Sequence, residues 1–250
     1  MGNIWLTIGL IASLAVGAPA NPNEDLKKAN DAIQAGRFDE AISIATQALN
    51  SGRVPTEAEF YFYWERGVAS YFKGDAKQAV ADLSKVVETQ QGSASSYYFR
   101  GLAYYQLGDG EHAIADLTST IKLDPKNADA FANRGENYQN KKQWDNAIAD
   151  YTQAIALKPD YGMAFNDRCT AREAAGKLDD AVADCDESIV LEPAKGLYYS
   201  NRADVYGKLG KWDMAVADLQ KALTLESDAS LRKQYQDELN SAKAKVTTAH

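Results

Sequence analysis

Two histidines, two cysteines, one acidic stretch and two matched rows of arginine and aspartate are the side chains here whose types and spacing could do chemistry. His112 and His250 are far apart, the second at the last residue, so they supply neither a triad base nor paired metal ligands. The stretch LDDAVADCDES, residues 178–188, is acidic enough to raise the question of a cation site. It lacks the glycine and spacing of a calcium loop, and acids in the first turn of a helix are expected from the helix dipole. No P-loop or dinucleotide glycine fingerprint occurs. No nucleophile, base and oxyanion donor can be assembled, so no enzyme, cofactor or metal is expected. Cys169 and Cys185 read as two buried thiols serving as small apolar residues, with a disulfide between them as the alternative.

The arginines are more informative because they recur. Arg66, Arg100, Arg134, Arg168 and Arg202 each stand directly before a small residue: Gly67, Gly101, Gly135, Cys169 and Ala203. Every step in that series is 34 residues. Asp82, Asp116, Asp150, Asp184 and Asp218 follow in the same phase, three positions after a second small-residue row of Ala79, Ala113, Ala147, Ala181 and Ala215. Equal count and fixed phase predict an arginine–aspartate ladder, its rungs formed either within a helix pair or across the seam to the next pair. Each rung would contribute about 0 to 1 kcal/mol if exposed and more if partly desolvated. An arginine row reading phosphates would leave the five aspartates unexplained, and the net charge of -8 with a pI of about 4.9 argues against nucleic acid.

The elements that must carry these rows are two helices per 34 residues. The small rows suit a tight helix crossing, and Tyr63, Tyr97, Phe131, Phe165 and Tyr199 stand four residues before the first marker, where they would fill the wide end of the helix pair. Gly74, Gly108, Gly176 and Gly210 suit the end of the first helix, with Lys142 in that place in the fourth repeat. Pro125, Pro159 and Pro193 close the second helix.

This combination of aromatic, small residue, alanine and proline within 34 residues resembles the tetratricopeptide repeat family over about residues 60–229. The resemblance implies an all-α, right-handed α-solenoid of stacked antiparallel helix pairs. Residues 22–55 read as a degenerate first repeat, followed by repeats at 60–93, 94–127, 128–161, 162–195 and 196–229. A helix over 230–246 reads as the C-terminal cap, covering the otherwise open last repeat.

In such arrays the first helices line a concave groove. The register assigns to it Tyr61, Trp64, Tyr98, Leu102 and Tyr105 in repeats two and three. Repeats four to six contribute Asp129, Asn133, Glu136, Gln139, Asn166, Thr170, Asn201 and Asp204. The groove is therefore expected to be aromatic toward the N-terminus and polar to acidic toward the C-terminus, suited to a protein or peptide partner with an apolar anchor and a basic or hydrogen-bonding tail. The family's clamp for a terminal carboxylate is not reproduced: Asn30 matches one site, but Leu26 and Glu65 replace a lysine and an asparagine. Starting that clamp at repeat three keeps Asn133 but supplies Tyr98, Leu102, Met163 and Asp167 elsewhere.

The apolar run at residues 4–18, followed by Ala18-Pro19-Ala20, reads as a signal peptide over residues 1–20 and implies export to a periplasmic or extracellular space. The alternative is an uncleaved membrane anchor made of the same run. The function expected from all of this is a non-enzymatic protein-interaction adaptor or assembly factor. Its alternative is a self-associating scaffold of the cell envelope that packs homo-oligomers through an end repeat.

Overall fold

The computed structural model describes residues 22–248, so the expected signal peptide lies outside the described residues. Thirteen α-helices and no strands occur among them. They are α1 (Pro22–Gln34), α2 (Phe38–Asn50), α3 (Glu59–Lys73), α4 (Ala76–Val86), α5 (Ala94–Gln106), α6 (Gly110–Leu123), α7 (Ala128–Asn140), α8 (Trp144–Leu157), α9 (Gly162–Ala174), α10 (Leu178–Leu191), α11 (Gly196–Lys208), α12 (Trp212–Leu225) and α13 (Ala229–Thr248). A short 3-10 turn, Thr56–Ala58, precedes α3, and a π-helical turn, Val87–Gln91, follows α4.

The described residues form two compact units that divide between His112 and Ala113. In the first, consecutive helices from α1 to α5 pack on one another; in the second, those from α7 to α13 do so; and the first helices of successive repeats also touch: α1 with α3, α3 with α5, α7 with α9, and α9 with α11. The fold is thus an all-α array of antiparallel helix pairs. Its core is a series of small clusters rather than one centre. Phe99, Leu102 and Leu83 anchor one in the N-terminal unit, and Tyr206, Leu219 and Leu239 anchor one in the C-terminal unit.

The crossing of each pair is set by the small-residue rows. Ala79, Ala113, Ala147 and Ala181 have no exposed surface, and Ala215 has almost none. A Cβ on Gly135 would lie 2.9 Å from the Tyr151 ring, and one on Gly67 would lie 2.8 Å from Leu83. Side chains of this bulk on the second helix require the first helix to have none. The pairs turn through a left-handed residue after the first helix, for example Gly74 at φ 88°. In the fourth repeat Lys142 adopts that conformation, at φ 57°. Pro125, Pro159 and Pro193 each stand two residues beyond the end of a second helix.

Candidate partner-binding face

The first question for a binding site is which charged groups are available, and the arginine row is not. Arg134 Nε and Nη2 donate to Asp150 Oδ2 and Oδ1 at 2.8 and 2.7 Å, a two-pronged pair between α7 and α8. Arg66 with Asp82, Arg168 with Asp184 and Arg202 with Asp218 repeat that geometry at 2.7–2.8 Å. The aspartates, Asp116 on α6 included, are buried at 2–6 % exposure. The parallel fork of two charge-assisted bonds is the strong form of this interaction. The Asp150 bond raises the Arg134 pKa above its already high value.

Each guanidinium also reaches back to the preceding second helix through Nη1. Arg66 meets Thr46, Arg100 meets Ser84, Arg134 meets Thr118, Arg168 meets Thr152, and Arg202 meets Asp186, at 2.6–3.2 Å. The arginine therefore ties its own pair to the one before it. An aromatic ring three residues earlier lies under each guanidinium, from Tyr63 to Tyr199, at 5.5–5.8 Å. These rings, placed by the sequence at the wide end of each pair, stack under the arginine row. The row of Ser84, Thr118, Thr152 and Asp186 keeps the 34-residue step and was a signal open to sequence reading.

Cys169 and Cys185 form a disulfide, with Cα atoms 5.5 Å apart and no exposed surface. The reading of two free thiols is corrected. Sixteen residues separate them, the same separation that joins Gly67 to Leu83 across its helix crossing, so both sulfurs face each other there.

The residues assigned to the groove divide by exposure. Tyr105 on α5 is 36 % exposed. Tyr61 is half-buried, and Trp64 and Tyr98 are half-buried edge-on against Phe99, so part of each ring fills the seam between α3 and α5. Leu102, expected on the open face, instead belongs to the core cluster of Phe99 and Ala103, because it follows Gly101 onto the crossing side. Nearby, Glu65 is buried and accepts a hydrogen bond from Asn30 at 3.3 Å; burial pushes its carboxyl up to about 7.

In the C-terminal unit the first helices form one continuous polar face. On α7 it carries Asp129, Asn133, Glu136 and Gln139; on α9, Asn166, Asp167 and Thr170; on α11, Asn201 and Asp204. Asn201 donates to Asn166 at 2.8 Å, Gln139 donates to Thr170 at 3.3 Å, and Lys208 pairs with Glu173 at 3.1 Å. These cross-links hold α7, α9 and α11 in register. Asn166 is consumed by them and is buried. Beyond α11, a cleft of about 510 Å³ is lined by Asp204, Lys208 and Trp212 with Glu173 and Glu238. Among the described residues no group of three His, Cys, Asp or Glu side chains is arranged to hold a metal, and His112 is an exposed ring paired with Asp109.

An array of helix pairs with a sealed arginine rail and an open first-helix face defines a helical-repeat interaction protein. Family models agree. Tetratricopeptide repeat models match residues 26–94 and 197–228, and the model of the ETO1 C-terminal domain matches residues 65–206, more than half the chain. The chain belongs to the tetratricopeptide repeat family. A comparison with curated proteins gives no match. Similar solved structures include MamA, 25% identical, covering 71% of this chain and 94% of that one with a TM-score of 0.62. A tetratricopeptide repeat protein from Parabacteroides merdae is 18% identical over 90% of this chain and 87% of its own, with a TM-score of 0.74. YrrB is 17% identical over 69% of this chain and 87% of its own, with a TM-score of 0.61.

Proposed function

We propose that this protein is an exported, non-enzymatic adaptor or assembly factor that holds an extended segment of a partner protein along the first helices of its repeats. The observation that carries the reading is the division of labour between charged rows. The arginines and their aspartates are spent inside the array, while Tyr105, Asp129 and Asp204 stand exposed on the first-helix faces. Main-chain and side-chain contacts along such a row of side-by-side helices suit an extended chain rather than a small molecule. YrrB, which shares the fold, is described as a tetratricopeptide repeat protein with an unusual peptide-binding site. The disulfide supports the export reading, since such bonds persist in oxidising compartments.

The test is crosslinking capture from cell-envelope extract with the native chain beside a Tyr61→Ala, Tyr98→Ala, Tyr105→Ala variant of equal helicity. A partner enriched by the native chain and lost from the variant is the expected result. Capture of the same proteins by both, or of further copies of the chain alone, would replace this reading with a self-associating scaffold.

A further inference from the structure

The chemistry of the partner segment is written in the C-terminal unit, and this inference rests on the adaptor reading above. The stripes on α7, α9 and α11 carry Asp129, Glu136, Asp167, Glu173 and Asp204. Lys208 is the one basic residue on the same stripes, and Glu173 already holds it. Asp167 is the most informative of the five. It sits half-way along α9, accepts an amide hydrogen bond from its neighbour Asn166 at 3.2 Å, and has the Glu136 carboxylate as a near charge. Desolvation, with Glu136 adding to it, pushes the Asp167 carboxyl up to about 6, the condition of a carboxylate that would gain most from a cation.

At the N-terminal edge of the same face, α9 and α11 each start with a glycine and then present an aliphatic side chain. Met163 is 54% exposed and Leu197 is 51% exposed, and both lie one turn before the amides Asn166 and Asn201. Large exposed aliphatic side chains at equivalent positions of two touching helices form a small apolar step beside the acidic floor. The residues expected on this face in the last three repeats are all polar, and Met163 and Leu197 add an apolar element to them.

We infer that the first-helix face of the C-terminal unit binds a cationic segment of a partner protein, with arginine or lysine side chains over Glu136, Asp167 and Asp204 and an aliphatic residue against Met163 and Leu197. Charge complementarity selects that occupant. An acidic segment would bring further carboxylates onto five already present, and like charges brought together at an interface oppose binding. A neutral segment would leave Asp167 desolvated without compensation.

The experiment is fluorescence anisotropy with the full chain and three labelled twelve-residue peptides: alternating Arg-Leu, alternating Glu-Leu and alternating Ser-Leu. The expected result is binding of the Arg-Leu peptide at least tenfold tighter than the other two. Glu136→Gln with Asp167→Asn should weaken it about tenfold, and Met163→Ser with Leu197→Ser should weaken it independently. Rising salt should reduce the charge-dependent part. Equal helicity and melting temperature of each variant by circular dichroism separate loss of binding from loss of fold; Asp204→Asn provides a second check. Equal binding of all three peptides would overturn the cationic assignment and leave the adaptor reading standing. Preference for Arg-Leu that survives every one of these variants would also overturn it, by placing the peptide elsewhere. Binding of none would overturn both.

Discussion

Cys169 on α9 is bonded to Cys185 on α10 across the point where, in other repeats, a small residue meets a large one. Gly67 meets Leu83 and Gly135 meets Tyr151 at the same sixteen-residue separation, and Ala203 and Leu219 occupy it in the sixth repeat. The disulfide is therefore the fifth repeat's form of a packing contact that every repeat needs. Immediately before each cysteine stand Arg168 and Asp184, the rail pair of that repeat.

This equivalence predicts that the bond is replaceable by the family's own solution. Reducing the native chain should lower the stability of the C-terminal unit by about 3 kcal/mol, the value for closing a loop of this length. Cys169→Ala with Cys185→Leu should be insensitive to reductant and keep native helicity. Urea denaturation followed by circular dichroism, with and without reductant, measures both. Identical curves for the native chain in the two conditions would contradict the prediction.

The rail makes a separable prediction. Arg134 and Asp150 are 17% and 7% exposed at the side chain, so removing either leaves the other charge in a partly dry site. Arg134→Ala or Asp150→Ala alone should cost about 3 kcal/mol. The double variant should cost less than the sum, with a coupling of about 2 kcal/mol by double-mutant cycle. Additive losses would mean that the two side chains do not act together.

Glu65 gives the N-terminal unit a pH dependence. Its folded carboxyl titrates at about 7 instead of the usual 4.5, chiefly because it is buried. Between those values the folded chain retains a proton that the unfolded chain has released, so stability falls as pH rises through the window. The penalty is complete above pH 7 and amounts to about 3 kcal/mol at most. Glu65→Gln should flatten this fall, matching the native chain near pH 4.5 and exceeding it at pH 8. Asp167, raised to about 6 by burial and by Glu136, acts in the same direction in the other unit. Thermal melts of both proteins across pH 4.5–8 check the difference.

Lys142 supplies a fourth prediction. It takes the left-handed backbone at φ 57° where Gly74, Gly108, Gly176 and Gly210 stand in other repeats. A Cβ in that conformation is strained, so Lys142→Gly should stabilise the chain by about 0.5–1 kcal/mol, measured by the denaturation midpoint.

The repeat was legible because a 34-residue step leaves the same residue types at the same helix crossing; that phase couples the arginine and aspartate rows, and the structure selects Asp150 as the partner of Arg134. What the sequence left open depended on a second coordinate, the direction in which each side chain leaves its helix. Leu102 and Asn166 share stripes with exposed residues, yet one enters the core and the other is taken up by Asn201. Met163 and Leu197 are aliphatic by type, yet both stand exposed. For the cysteines, the spacing to compare was the sixteen-residue contact of neighbouring repeats, which periodicity alone does not reveal as a contact.

The measurement that tests the account most directly is site-specific photo-crosslinking to the partner. A photoreactive residue is placed at Tyr105 or Asp204 on first helices, and at Gln153 or Lys221, which are exposed on the second helices α8 and α12. The account predicts adducts with one and the same partner from the two first-helix positions and none from the two second-helix positions. Adducts arising from Gln153 or Lys221, with none from Tyr105 and Asp204, would contradict it.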